Sequence, residues 1–162
     1  MRRLTVVQLL PALQSGGVER STLEIAAALV AAGHRSVVVS AGGRLVEALV
    51  AGGSEHIALP IGRKSLSAFR TAFVLRRTLA ALKPDLVHAR SRLPAWLARF
   101  ALRGLPAPRP HFVTTVHGMN SPGRYSGVML RGEKVICVSE SVRGHVLRHW
   151  PDTDPGRLVV VP

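Results

Sequence analysis

Three short stretches of this chain carry residues able to do chemistry. Ser15-Gly16-Gly17-Val18-Glu19-Arg20 follows an apolar run and opens a helix-like segment. A glycine pair at such a corner lets main-chain N–H groups close on a phosphate without Cβ interference, and the helix dipole adds roughly half a positive charge there. Asp85-Leu86-Val87-His88-Ala89-Arg90-Ser91-Arg92 places Arg90 and Arg92 just past a second apolar run. Two guanidinium forks at that position can clamp a phosphate or carboxylate bidentately. Thr114-Thr115-Val116-His117-Gly118 ends a third run on a titratable ring, with a glycine behind it that frees the backbone. Each stretch also has a plainer reading: a tight turn without ligand, two solvated arginines, a hydrogen-bonded structural histidine. Asp85 reads as the residue that starts its strand rather than as a catalytic acid. Glu19 and Arg20 either pair locally or face a cleft.

Other candidates are weaker. The dinucleotide fingerprint G-x-G-x-x-G and the Walker G-x4-G-K-S/T are both absent, which disfavours a nicotinamide enzyme and a P-loop nucleotidase. His145 and His149 stand four apart on one helix, but no third ligand is evident, so no metal site is expected. Glu47 and Glu55 are parted by Gly52-Gly53, which breaks the helix between them, so they do not line one pocket. The single cysteine, Cys137, lies inside Val135-Ile136-Cys137-Val138 and reads as a small buried hydrophobe. A disulfide within the chain is impossible, and a reducing compartment follows as the expectation.

These stretches must be positioned by the elements around them. Seven apolar runs of strand length are expected: Leu4–Leu10, Ser36–Ser40, His56–Leu59, Asp85–His88, His111–Val116, Lys134–Val138 and Leu158–Val161. They are continuous rather than alternating, the pattern of strands buried on both faces in a parallel sheet. Helices are predicted over Val18–Ala32, Arg44–Ala51, Ser65–Leu82, Pro94–Leu102 and Ser139–Trp150, with Gly118–Gly132 as loop. Gly33 is placed to cap the first helix, Pro84 to stop the third, and Ser139 to cap the last. The fold class that follows is α/β: a doubly wound, mostly parallel, Rossmann-like sheet forming a single domain over residues 1–162. Ligands of such sheets sit beyond the carboxyl ends of the strands, where all three chemical stretches fall.

Charge narrows the partners. Twenty-two Lys and Arg against nine Asp and Glu give a net charge of +13, which attracts phosphate in one form or another. Nucleic acid is disfavoured because no groove-reading or aromatic RNA motif is present. Arginine as ordinary solvated surface is the bland alternative. The segment from Arg63 to Arg77 and the one from Trp96 to Arg103 mix arginines with Phe69, Phe73, Trp96 and Phe100, a composition able to lie on anionic lipid. An apolar stripe turned to the core explains them equally well. No run reaches the ~18 to 20 apolar residues of a membrane span, and Gln8 and Pro11 interrupt the N-terminal run, so the expected location is cytoplasmic.

Taken together, several motifs carry a family resemblance. Leu9-Leu10-Pro11-Ala12-Leu13-Gln14-Ser15-Gly16-Gly17-Val18-Glu19-Arg20, Ala32-Gly33-His34, Pro84-Asp85-Leu86-Val87-His88, Val116-His117-Gly118 and Val135-Ile136-Cys137-Val138-Ser139 resemble the N-terminal half of a family 4 glycosyltransferase. His88-Ala89-Arg90-Ser91-Arg92-Leu93-Pro94-Ala95-Trp96 is similar to a branch associated with lipopolysaccharide and other envelope glycans. The resemblance implies one half of a GT-B enzyme: retaining transfer of a sugar from a nucleotide-sugar substrate, with no cofactor and no obligatory metal. It implies Gly16 and Gly17 at the donor diphosphate, His117 near the transferred sugar, and Arg20, Arg90 and Arg92 toward a glycan or lipid acceptor. It further implies that most donor contacts, including an E-x7-E motif, belong to a C-terminal domain absent from these 162 residues, so that the chain is inactive alone. The alternative from a different class is a non-catalytic module that docks anionic lipid or a separate donor-domain subunit.

Overall fold

The computed structural model describes residues 2–162. Its seven strands are β1 (Thr5–Leu9), β2 (Arg35–Ser40), β3 (Glu55–Ala58), β4 (Leu86–Ala89), β5 (His111–Val116), β6 (Lys134–Cys137) and β7 (Leu158–Val160). They form one sheet in the order β3-β2-β1-β4-β5-β6-β7, every pair parallel. Five helices connect them: α1 (Gly17–Ala31), α2 (Val46–Ala51), α3 (Ala68–Leu82), α4 (Arg92–Arg103) and α5 (Glu140–His149). The parallel sheet explains the unbroken apolar runs, since its central strands are covered on both sides. Val7, Val37, Val38, Val39 and Val87 are all completely buried.

The two faces have separate cores. Val38 and Leu10 pack with Ala26 of α1 and Leu49 of α2. Their neighbours Val37, Val39, Val7 and Leu9 point the other way, to Leu75 and Leu79 of α3, Ala98 of α4 and Val146 of α5. The chain therefore winds outward from β1 to β3 on one face, returns through α3, and winds outward from β4 to β7 on the other. Strand order reverses between β1 and β4, and that reversal opens a crevice at the carboxyl edge.

Local chemistry fixes the ends of the elements. Gly33 adopts φ 81°, and its N–H meets the Val30 carbonyl while His34 N–H meets Leu29. This paired closure of α1 needs a left-handed residue, which glycine supplies without a steric penalty. The Ser139 hydroxyl accepts from the Val142 N–H at 3.2 Å and starts α5. Two helices begin later than the sequence predicts, α2 at Val46 rather than Arg44 and α3 at Ala68 rather than Ser65. Gly42 and Gly43, at φ 93° and 146°, turn the chain just before α2, and neither α2 nor α3 has a side-chain cap bond at its start. Within the predicted loop Gly118–Gly132, residues Ser126–Leu130 coil into a 3-10 helix whose Val128 and Met129 enter the core. The Asp85 carboxylate accepts from the Thr5 N–H at 2.7 Å and from Arg2, tying the start of β4 to the start of β1. Glu55 pairs with Arg35 at 2.7 and 2.8 Å, which ties the start of β3 to the start of β2. That pair is exposed and contributes at most about 1 kcal/mol.

Candidate functional site

At the crevice between β1 and β4, the ends of three strands converge. Val18 from the first turn of α1, Arg90 and Arg92 after β4, and Thr115, His117 and Gly118 at the end of β5 line one cleft of about 150 Å³. The structure thus brings together Arg90, Arg92 and His117. Gly16 and Gly17 form the adjoining corner and are exposed. Arg20 is also exposed on α1 but is not among the residues lining the cleft.

The corner has the form of an anion site. Gly16 takes φ 142° as the residue before α1, a conformation that side chains disfavour. Its carbonyl accepts from Arg20 N–H at 3.1 Å, closing the first helical turn. The N–H groups of Gly17, Val18 and Glu19 have no acceptor among the described residues. The Glu19 carboxylate folds back over Gly16, so close that an added Cβ would meet its Oε2 at 2.6 Å. Glu19 is the acid in the first turn of α1, the position at which the helix dipole favours negative charge.

Arg90 is built into the fold. It is only 3% exposed. One amino group donates to Gln8 Oε1 at 3.2 Å and the other to the Ser21 hydroxyl. Gln8, itself completely buried, donates its amide to the Thr22 carbonyl at 3.2 Å. This chain of bonds runs from β4 through β1 into α1 and holds the helix that carries the glycine corner. Burial lowers the Arg90 pKa to about 10, still far above neutrality, so the guanidinium stays charged. Arg92 stands at the lip, donating to Ser126 Oγ at 3.3 Å with its guanidinium 5.5 Å from the centre of the Tyr125 ring.

The two histidines beside this cation are neutral at ordinary pH. Desolvation, then Arg90 and His117, push His88 down to about 3, and its Nε2 lies 2.6 Å from Thr115 Oγ1. Desolvation and then Arg90 lower His117 to about 4. Four buried side-chain polar atoms lack a partner among the described residues, and two of them, Arg90 Nε and His117 Nε2, belong to this cleft. Native interiors rarely leave such atoms unsatisfied, so their pairing here marks a place where a polar ligand group is expected. No group of three or more His, Cys, Asp or Glu among the described residues could hold a metal ion. His145 Nε2 instead lies 2.9 Å from the Asn120 carbonyl oxygen.

Sequence reasoning missed Gln8, Ser21, His88 and Thr115. The available signal was an amide in the middle of an apolar strand: a fully buried Gln8 has to find partners, and a nearby arginine is the natural one.

A profile described as Glycosyltransferase Family 4 matches residues 15–162, nearly the whole chain. The chain belongs to this family. A glycosyltransferase from Rickettsia africae ESF-5 is 33% identical, with a TM-score of 0.84 over 99% of this chain and 43% of its own. Alr3699/HepE from Anabaena, crystallised with UDP and glucose, is 17% identical, with a TM-score of 0.75 over 98% of this chain and 44% of its own. WaaG, a glycosyltransferase involved in lipopolysaccharide biosynthesis, is 15% identical, with a TM-score of 0.67 over 97% and 44%. No curated protein sequence matches the chain. The family 4 chain therefore spans less than half the length of these solved structures, and its fold is that of the N-terminal half of a GT-B glycosyltransferase. The Rossmann-like doubly wound sheet expected from the apolar runs is the observed one.

Proposed function

We propose that this domain forms the acceptor side of a retaining glycosyltransferase, moving a sugar from a nucleotide donor to an envelope lipid or polysaccharide. The observation that carries this reading is the cleft at the β1/β4 crevice, where free main-chain amides, a fixed cation and an orphaned imidazole nitrogen meet. The amides of Gly17 and Val18 and the α1 dipole stabilise charge developing on the departing diphosphate. His117, neutral at working pH, holds the sugar through its ring nitrogens and does not act as a general acid. Arg92 at the lip, with Arg20 further out, meets a phosphorylated or acidic acceptor, while Arg90 keeps the corner in place. No resident metal or cofactor takes part. A cleft of about 150 Å³ is well below the ~300 Å³ at which ligand sites begin, and this reading gives its other wall to a donor-binding domain. The UDP complexes of HepE support a nucleotide-sugar as donor.

Gly17→Asp tests this reading without disturbing the fold. A Cβ at Gly17 meets nothing within 4 Å, and an acid in the first turn favours the helix. It also sets a negative charge where the diphosphate would lie. With a donor-binding domain joined to the chain, sugar transfer should fall at least roughly tenfold while the melting temperature holds or rises. Undiminished transfer removes the corner from the donor site.

A second feature bears on location. Leu66 is fully exposed and Phe69 is 79% exposed, and Phe69, Phe100 and Trp96 form a continuous aromatic row with centroids 6.5 and 6.1 Å apart. Arg63, Lys64, Arg70 and Arg77 lie along the same segment. No helix among the described residues is long and apolar enough to cross a membrane. The reading these residues support is peripheral docking on the inner face of the cytoplasmic membrane, near a lipid-linked acceptor. Co-sedimentation with anionic but not neutral vesicles, weakened by Phe69→Ser, is the expected result. Equal binding to both vesicle types would defeat it.

A further inference from the structure

A second cavity lies away from the carboxyl edge and shares no residue with the cleft described above. It has a volume of about 630 Å³. One wall is the middle of α4, another the segment descending through the 3-10 helix, and the third the far end of α5. Because α5 starts at the carboxyl end of β6, its far end belongs to the opposite side of the sheet. The cavity holds Arg99, Arg124, Arg131 and Arg157 against a single acid, Asp152. Among the described residues none of these arginines forms an ion pair.

Some of the lining is tied down and some is free. Arg157 donates to the carbonyls of Leu130, at 2.8 Å, and Gly132, which braces the descending segment. Trp96 Nε1 donates to the Tyr125 carbonyl at 3.1 Å, and Trp150 packs so near Gly127 that an added Cβ there would meet Nε1 at 3.3 Å. Arg99, Arg124 and Arg131 donate no side-chain hydrogen bond within the described chain. Burial, and then the guanidiniums of Arg103 and Arg131, lower the Arg99 pKa, as expected where like charges crowd without a counter-ion. Such crowding of like charge is relieved by an anion with several acceptor oxygens. The volume lies within the range of small-molecule sites, and two indole walls can cover an apolar or ring-bearing part.

We propose that this cavity binds a phosphate ester, with Arg99, Arg124 and Arg131 holding the phosphate and Trp96 and Trp150 flanking the group it carries. Stacking of Trp96 on Phe100, whose ring is exposed, places the cavity next to the aromatic row of α3 and α4. The phosphate can therefore come from a soluble ester or from a phospholipid headgroup. The proposal is independent of sugar transfer, and its readout is binding.

The chain's only two tryptophans are Trp96 and Trp150, so intrinsic fluorescence reports on this cavity directly. The 162-residue chain is titrated with inorganic pyrophosphate and, separately, with dihexanoyl phosphatidic acid below its micelle concentration. A saturable fluorescence change with pyrophosphate supports a soluble phosphate ester, and one with phosphatidic acid alone supports a headgroup. In either case Arg99→Gln with Arg131→Gln should weaken binding about tenfold or more, whereas Arg3→Gln with Lys83→Gln, which removes the same two charges at exposed sites outside the cavity, should not. Should the double variant fail to fold, Arg124→Gln on the exposed segment carries the same comparison. No saturable change with either probe, or a midpoint indifferent to these arginines, overturns the proposal.

Discussion

Acidification from about pH 6.5 to pH 5 is expected to weaken this chain through His88 alone, with a slope that rises toward roughly 1.4 kcal/mol per pH unit. The folded pKa of His88 is about 3 against an ordinary 6.5, so above 6.5 the ring is neutral whether folded or unfolded and imposes no cost. Below 6.5 the unfolded chain takes up a proton that the folded chain refuses, and stability falls with each unit until the folded value is reached. His117 and the less buried His56 add smaller contributions of the same sign. Glu55 and Glu133, both held below the usual carboxylate value by hydrogen-bonded partners, add their own loss only nearer their ordinary range, below about pH 4.5. The informative window therefore lies above that range. Urea unfolding midpoints measured across it should slope in the native chain and slope markedly less in His88→Gln. That variant should be weaker at pH 7.5, because the buried bond to Thr115 is altered. An identical slope in both proteins would remove His88 as the acid-sensitive group.

The largest effect on activity is expected from His117→Ala. In an enzyme completed by a donor-binding domain, turnover should fall on the order of 100-fold, the scale seen when one well-placed polar contact to a reacting group is removed. The change should lie mainly in kcat, since the ring acts on the sugar being transferred and leaves nucleotide binding alone. Folding should be nearly intact, because the ring is only half-buried and its Nε2 makes no bond within the described chain. His117→Asn, which keeps a donor and an acceptor, should recover part of the loss. With the folded pKa near 4, the rate should be insensitive to this group from about pH 6 to 8 and drop as the ring is protonated below that. Unchanged turnover in His117→Ala would show that the ring does not touch the transferred sugar.

Much of this molecule is legible in its residues. Seven apolar runs separated by helical segments point to a parallel sheet covered on both sides, and the central strands β1, β2 and β4 are the ones buried along almost their whole length. Gly33 and Ser139 mark helix ends through local geometry, and both act as their types dictate. The grouping of Arg90, Arg92 and His117 follows from the rule that loops after parallel strands share one edge. Later starts of α2 and α3 were less legible, because periodicity continues past the point where no cap remains to hold the backbone. What only the tertiary structure decided are facts that depend on pairs far apart in the chain. Arg90 and Gln8 are separated by 82 positions, and their bond makes the cleft-lining arginine a brace for α1 as well. The basic cavity likewise needs α4, a descending loop and the end of α5 to meet. Local patterns dictate strand, helix and edge because those are set by neighbours in sequence. Which arginine is spent on the fold and which is left for a ligand is set by packing across the sheet, which no local pattern records.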